Sequence, residues 1–163
     1  MIRRREVLTL LGAAGAAWPV GAKAQQVDKP VVAYLMSRSE NDAAYLAAGF
    51  REGLRSGGFI EGHNVHIEYR WADGQFNRLP IMAQELARMP VAVLAAVGGE
   101  PAVMAAKGAT STIPIVFAMS GDPVKLKLAE SFNRPGHNAT GIYIFTTTLE
   151  PKRLGLLTEI APN

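Results

Sequence analysis

Three short runs of the chain are wholly apolar, and each is bounded by polar or turn-forming residues. They cover Val31–Met36, Val91–Val97 and Ile115–Met119. A continuous apolar run of this length is typical of a parallel strand that is covered on both faces of its sheet. A further strand is predicted over 64–70, where apolar and polar residues alternate, and a last one over 139–145. The alternation places the strand over 64–70 nearer the edge of the sheet.

Helical patterns separate these strands. Residues 41–56 carry apolar side chains at helical spacing and stop at Gly57-Gly58. Pro80 lies early in the second helix, so a break or a late start is expected there. Further helices are predicted over 75–89, from Glu100-Pro101 to about 108, over 123–131 after the Asp-Pro start signal, and over 149–160. The Thr146-Thr147-Thr148 run is expected to be a turn.

The alternation of five strands with helices predicts an α/β fold with a doubly wound parallel sheet. For five such units the usual strand order is 2-1-3-4-5. No internal repeat or low-complexity linker divides the chain after residue 25, so one lobe is expected over 25–163.

The first 24 residues have the composition of a secretory signal peptide. Three arginines, Arg3 to Arg5, precede an uncharged apolar run over 7–20, and Ala22-Lys23-Ala24 is a small-x-small cleavage pattern. Arg4-Arg5 followed by Val7-Leu8 fits a twin-arginine signal, and a general secretory signal remains the alternative. Export to the periplasm is therefore expected, with a mature chain that starts near Gln25. The chain has no cysteine, which excludes disulfides and a lipid-bearing cysteine.

The charge of the chain argues against a nucleic-acid partner. Its formal net charge is +3, but residues 1–24 hold four of the 17 basic and one of the 14 acidic residues, so thirteen of each remain. No basic patch of the kind that binds DNA or RNA is left. No later stretch is long and apolar enough to predict insertion into a membrane.

The predicted sheet brings three loops together. Ligands bind at the carboxyl ends of strands in open α/β sheets, and in this order the first, third and fourth strands end side by side. Backbone N–H groups at the helix starts in loops 37–40, 98–100 and 120–122 favour an anionic group such as an α-carboxylate. The candidate ligand-binding residues are Met36, Ser37, Ser39, Gly98, Gly99, Glu100, Ser120, Gly121, Asp122 and Tyr143.

Each candidate side chain has a structural alternative. The three serines are possible hydroxyl donors, and Glu100 or Asp122 is placed to face an α-ammonium. Alternatively, Asp122 only caps a helix and Glu100 is a solvated acid of a first turn. Met36 and Tyr143 either pack on an apolar part of the ligand or belong to the core.

The sequence indicates no catalytic centre, metal site or cofactor. His63 and His66 are three residues apart beside a strand, which directs them to opposite faces, and His137 lies in a distant loop. No nucleophile elbow, dinucleotide fingerprint or phosphate loop occurs. An exported hydrolase would need a nucleophile or a set of metal ligands, and the sequence shows neither. A transcription regulator would carry a helix-turn-helix where this chain carries an export signal.

Three stretches resemble the periplasmic substrate-binding proteins of ABC importers, within the group linked to tryptophan and tyrosine uptake. They are Glu-Tyr-Arg-Trp-Ala-Asp-Gly-Gln-Phe over 68–76, the run over 113–126 that contains Gly121-Asp122-Pro123, and Asn133-Arg134-Pro135-Gly136 with Asn138 and Thr140-Gly141. The chain departs from the family pattern at Glu100, where a small hydroxyl residue is usual, and at His137, where a glycine is usual.

This resemblance implies a type I periplasmic-binding-protein-like fold of two α/β lobes with a small solute, an amino acid or related carboxylate, in the cleft between them. It implies a partner permease in the inner membrane. From the resemblance we expect the chain to be the N-terminal lobe only, so a truncated fragment without function and a ligand-sensing domain without a transport role stay open as alternatives. Half a cleft encloses one side of a ligand, and we expect weak binding or none.

Overall fold

The computed structural model describes residues 29–144 and 146–160. The predicted signal peptide over 1–24 lies outside the described residues. Five parallel strands form one sheet in the order β2-β1-β3-β4-β5. This confirms the predicted fold class and strand order. The strands are β1 (Val31–Met36), β2 (His66–Trp71), β3 (Val91–Val97), β4 (Ile115–Met119) and β5 (Ala139–Tyr143).

Four α-helices accompany the strands in the described part of the chain. The second is preceded by a 3-10 turn, Phe76–Arg78, and Pro80 lies in its first turn, where the missing N–H of proline is harmless. The break or late start predicted at Pro80 is therefore a late start. The helices are α1 (Glu40–Ser56), α2 (Leu79–Ala87), α3 (Glu100–Ala109) and α4 (Thr146–Ile160).

The two faces of the sheet are covered by different helices. Helix α1 packs on one face, where Ala43 and Ala47 meet Tyr34 and Met36 of β1. Helices α2 and α3 pack on the other face, whose core is formed by the alternate residues of the strands. The buried aliphatic residues of that second core include Leu35, Leu79, Leu86, Leu94, Val103, Ile115 and Met119.

An aromatic cluster fills the α1 face near the edge of the sheet. The Tyr34 ring lies 5.1 Å from Phe50, 5.4 Å from Tyr69 and 5.5 Å from Trp71 between ring centroids. Tyr34 is fully buried, and its hydroxyl has no hydrogen-bond partner among the described residues. Burial, together with the neighbouring Tyr69, raises the pKa of Tyr34 to about 12. The cluster therefore keeps a neutral, unpaired hydroxyl in its interior.

The edge strand β2 carries a small charged cluster on the face of the sheet that α2 and α3 cover. Glu68 accepts a hydrogen bond from Nη1 of Arg70 and lies 3.4 Å from Nε2 of His66. The hydrogen bond from Arg70 lowers the pKa of Glu68 against the opposing effect of partial burial. These residues blunt an edge that would otherwise be open to pairing with another strand.

The prediction of a helix over 123–131 is wrong. This segment forms turns, and the chain bends out of them at Lys127, whose φ is +54°. The Nζ atom of Lys107 on α3 donates to the carbonyls of Leu126 at 3.0 Å and Lys127 at 2.6 Å. A lysine from another element thus binds carbonyls that a helix would use internally, and the start signal at Asp122 yields only a turn.

The C-terminal boundaries also differ from the prediction. Strand β5 ends at Tyr143 rather than at 145, and α4 begins at Thr146, so the three threonines belong to a helix and not to a turn. From residue 149 onward every side chain of α4 is exposed, including Leu154 and Ile160. None of the helices over 29–144 and 146–160 combines the length and apolar character needed to cross a membrane.

Candidate functional site

The loops that follow β1 and β3 are joined by a direct hydrogen bond. Oγ of Ser37 donates to the carbonyl oxygen of Gly98 at 2.5 Å, and Ser37 is buried. Strands β1 and β3 are neighbours, while α1 and α3 leave them toward opposite faces of the sheet. This is the topological switch point of the fold, the place where open α/β sheets form a ligand-binding crevice.

Gly98 makes the close approach of these loops possible. Its φ of +116° lies in a region that glycine tolerates far better than residues with a side chain. A Cβ at this position would lie 2.6 Å from Oγ of Ser37 and 2.7 Å from Sδ of Met36. Gly99 follows with φ +97° as the N-cap residue of α3. Two glycines in sequence thus bring a bare backbone against the end of β1.

The loop after β4 lies against the start of α3. A Cβ on Gly121 would be 3.0 Å from Oε2 of Glu100, so the Glu100 side chain crosses from α3 to this loop. Ser120 beside it is exposed. The three predicted loops are therefore neighbours at one end of the sheet, and we call the space between residues 37–40, 98–100 and 120–122 the crevice.

The side chain of Asp122 is engaged within its own loop. Its Oδ1 atom accepts from the backbone N–H groups of Val124 at 2.9 Å and Lys125 at 3.3 Å. Since residues 123–131 form turns, the expected helix N-terminus behind Gly121 is absent, and these N–H groups serve Asp122 instead of a ligand. Beside this loop, the helix N-terminus that remains is that of α3, whose first-turn backbone N–H groups have no partner within the helix.

Ser39 likewise caps a helix. Its Oγ accepts from the backbone N–H of Asp42 at 3.2 Å and donates to Oδ2 of the same residue at 2.6 Å. This is the usual arrangement of a serine at the N-cap of a helix. Of the three candidate serines, Ser37 and Ser39 are thus occupied by backbone and side-chain partners, whereas Ser120 stands exposed at the crevice.

Met36 and Tyr143 lie on opposite faces of the sheet. Met36 is fully buried in the core beneath α1. Tyr143 is paired in register with Met119, which belongs to the core on the α2 and α3 face, and its ring stacks on Phe132 at 5.8 Å. The structure therefore does not bring these two candidates together as one apolar wall.

A fourth loop, after β2, reaches the crevice and was not among the predicted site residues. The backbone N–H of Gly74 donates to the carbonyl of Ser37 at 2.9 Å. Asp73 beside it has φ +54° and pairs with Nη1 of Arg78 at 3.2 Å. The sequence did hold a signal, because β2 neighbours β1 in the order 2-1-3-4-5 and Asp73-Gly74 after it is a dipeptide typical of turns.

The crevice is acidic and carries no reactive group of the usual kinds. Glu100, Asp122 and Asp73 face this end of the sheet, and Asp73 alone of the three forms an ion pair among the described residues. Over the same residues, no three histidine or carboxylate side chains lie close enough together to hold a metal ion. The geometry supports binding through backbone amides, one exposed hydroxyl and one free carboxylate.

Comparison with known proteins gives a consistent result. The model of the family described as ABC transporter substrate binding protein matches residues 31–163. A tyrosine-binding protein of Clostridioides difficile (strain R20291) is 29% identical over 115 residues, which are 71% of this chain and 32% of that protein.

Two solved structures share the fold. A conserved domain protein from Vibrio cholerae O1 biovar El Tor has a TM-score of 0.73 and 30% identity, over 83% of this chain and 45% of that one. An ABC domain from Streptococcus pneumoniae, solved in complex with L-Trp, has a TM-score of 0.64 and 22% identity, over 71% of this chain and 38% of that one. The chain thus spans less than half the length of each protein it matches here.

Proposed function

From the premise that this chain belongs to the ABC transporter substrate-binding protein family, we propose that it is the solute-binding component of an ABC importer. In this proposal the crevice forms one wall of the ligand site, and a second α/β lobe supplies the facing wall. The solute is an amino acid or a related small molecule, released to a permease in the inner membrane. The protein has no catalytic role.

The observation that carries this proposal is the contact between Ser37 and Gly98 at the switch point. It holds the loops after β1 and β3 together at the carboxyl end of the sheet, with Glu100 and Gly121 beside them. The relatives named for tyrosine and solved with L-Trp support an amino acid as the solute class. Similarity in the family supports the transport role.

The test is a titration of the chain with L-tyrosine and L-tryptophan, followed by backbone amide shifts in NMR spectra. We expect saturable shifts at Gly98, Gly99 and Gly121, with millimolar affinity because one lobe encloses only part of a ligand. Shifts that map elsewhere, or none at all, would contradict the proposed site. Micromolar affinity would show that this lobe is a complete site by itself.

Location in the periplasm is part of the same proposal. It rests on the pattern of residues 1–24 and on family membership. N-terminal sequencing of the protein recovered from a periplasmic extract should give a chain that starts near Gln25. Recovery of the uncleaved chain from the cytoplasm alone would contradict it. Replacing Arg4 and Arg5 by lysine blocks export if the twin-arginine route is used and leaves it intact if the general route is used.

A further inference from the structure

Glu100 lies at the junction of two of the loops that form the crevice. It is the first residue of α3, directly after the two glycines that adjoin β1. Its side chain is exposed, and Oε2 lies against the backbone of Gly121 in the loop after β4. The carboxylate of Glu100 therefore stands where the loops after β3 and β4 meet.

Within the described part of the chain, no cation pairs with the carboxylate of Glu100. No ion pair or side-chain hydrogen bond among the residues over 29–144 and 146–160 engages it, whereas Asp73 is paired with Arg78 and Asp122 accepts two backbone N–H groups. The positive end of the α3 helix dipole lies beside it. Among the described residues, Glu100 is thus the crevice carboxylate that has neither an ion pair nor a hydrogen bond.

The consequence for a ligand follows from the position of this charge. A helix N-terminus by itself attracts anions, but a carboxylate on its first residue already offsets the positive potential of the helix end. A second carboxylate brought by a solute to the same place is repelled, and a cationic nitrogen is attracted. The sign of the preferred ligand charge at α3 is therefore reversed by one side chain.

We propose that Glu100 determines the charge of the solute group bound beside α3, and that this group is a cationic nitrogen such as an ammonium. This inference rests on the proposed function and names its substrate class more closely: solutes that present an amine to the α3 side of the crevice. A carboxylate of the same solute lies elsewhere in the site.

The experiment uses two probes that share a phenol ring and differ in the charged end. Tyramine carries an ammonium, and 3-(4-hydroxyphenyl)propionate carries a carboxylate. Each is titrated into the full chain, and the amide shifts of Gly98, Gly99 and Gly121 are followed in the wild type, in Glu100→Gln and in Glu159→Gln. The last variant removes the same charge from α4, outside the crevice, and is the matched control.

We expect tyramine to shift the crevice amides of the wild type and of Glu159→Gln alike. In Glu100→Gln its affinity should fall about fivefold, the size of an exposed ion pair, and the propionate should bind more tightly than before. An unchanged spectrum outside the crevice shows that Glu100→Gln remains folded.

Two results would overturn the inference. One is a wild-type crevice that binds the propionate as well as tyramine, and the other is tyramine affinity that is unchanged in Glu100→Gln. If L-tyrosine still shifts the crevice amides in either case, the inference fails and the proposed function stands. If no probe shifts them, both fail.

Discussion

Replacing Gly98 by alanine tests the contact that closes the switch point. The new Cβ would lie 2.6 Å from Oγ of Ser37 and 2.7 Å from both Sδ of Met36 and the backbone nitrogen of Ser37. Two of these three atoms belong to buried side chains and the third to the backbone, so the neighbours have little room to move. The chain must shift one of the two loops to accept the methyl group.

The expected cost has two parts. A residue with a side chain held at a φ of +116° costs about 1–2 kcal/mol. Forcing an extra carbon into a filled space costs about 1–3 kcal/mol more. We therefore expect Gly98→Ala to lower the free energy of unfolding by about 2–5 kcal/mol, which is a large part of the stability of a typical domain.

A matched control separates the two parts. Gly58, just after α1, has a φ of +85°, and a Cβ there meets nothing within 4 Å. Gly58→Ala should therefore show the backbone cost of about 1–2 kcal/mol alone. Urea denaturation followed by far-UV circular dichroism gives both values, and their difference measures the steric part.

The result that would refute this reasoning is equal destabilisation by the two substitutions. It would mean that the loops after β1 and β3 are not packed against each other as the structure shows. A double variant refines the test, because removal of Oγ in Ser37→Ala relieves one of the overlaps. Gly98→Ala should then cost less in the Ser37→Ala background than in the wild type, and strictly additive effects would contradict the contact.

Four further outcomes are expected. Tyr34→Phe removes a buried hydroxyl that has no partner in the described part of the chain. Stability at neutral pH should therefore be unchanged or higher by up to about 1–2 kcal/mol in urea denaturation, and a marked loss would reveal a hidden partner. In wild type, the stability that depends on neutral Tyr34 should persist below pH 10 and be lost as the pH rises toward about 12. This loss should be smaller in Tyr34→Phe, where Tyr69, whose pKa burial also raises, still contributes. Arg70 lowers the pKa of Glu68, so the stability from this pair is present above the usual glutamate pKa of about 4.5 and is lost on acidification. Glu68→Gln should reduce this acid-dependent change in the free energy of unfolding by at most about 1 kcal/mol. An unchanged pH profile in the variant would contradict the prediction. Gly141→Ala places a Cβ against the carbonyl of Phe117 and should loosen β5, which faster amide exchange in that strand would report and unchanged exchange would contradict.

The strands were readable from the sequence because their signal is local. Strands β1, β3 and β4 begin and end where the apolar runs do. The expected cover on both faces does not extend to β4, because Val116 in it is 42% exposed. The edge strand β2 begins two residues later than predicted and ends one residue later. An edge strand is bounded by its pairing with one neighbour, which its own residues do not encode.

The predicted helix at 123–131 failed for a reason that lies outside its own sequence. Asp122-Pro123 is a sound start signal, and Asp122 does bind two N–H groups as a cap would. The segment nevertheless stops after one turn, because Lys107, about twenty residues earlier, binds two of its carbonyls. Such long-range competition cannot be read from local propensity.

The site was predictable at the level of loops and not of side chains. The strand order alone places the loops after β1, β3 and β4 together. The division of Met36 and Tyr143 between two faces depends on the pairing register, since a residue's face follows from its partner in the next strand. A serine just before a helix is a signal for an N-cap, so the sequence was compatible with the capping role of Ser39. The same hydroxyl was also a candidate ligand contact, and the sequence alone does not distinguish the two roles.

What distinguishes the crevice is that its loops are held together at the backbone by one buried serine. Ser37 accepts a bond from Gly74 through its carbonyl and donates one to Gly98 through its hydroxyl, so one buried residue ties the loops of three adjacent strands. Because Ser39 and Asp122 are also engaged in local hydrogen bonds, few side chains of the crevice remain to determine ligand specificity. Substitutions at Ser37 or Gly98 should therefore destabilise the fold and weaken the binding of every solute alike. A substitution at Glu100 should instead alter which solutes are preferred and leave the contacts between the loops intact.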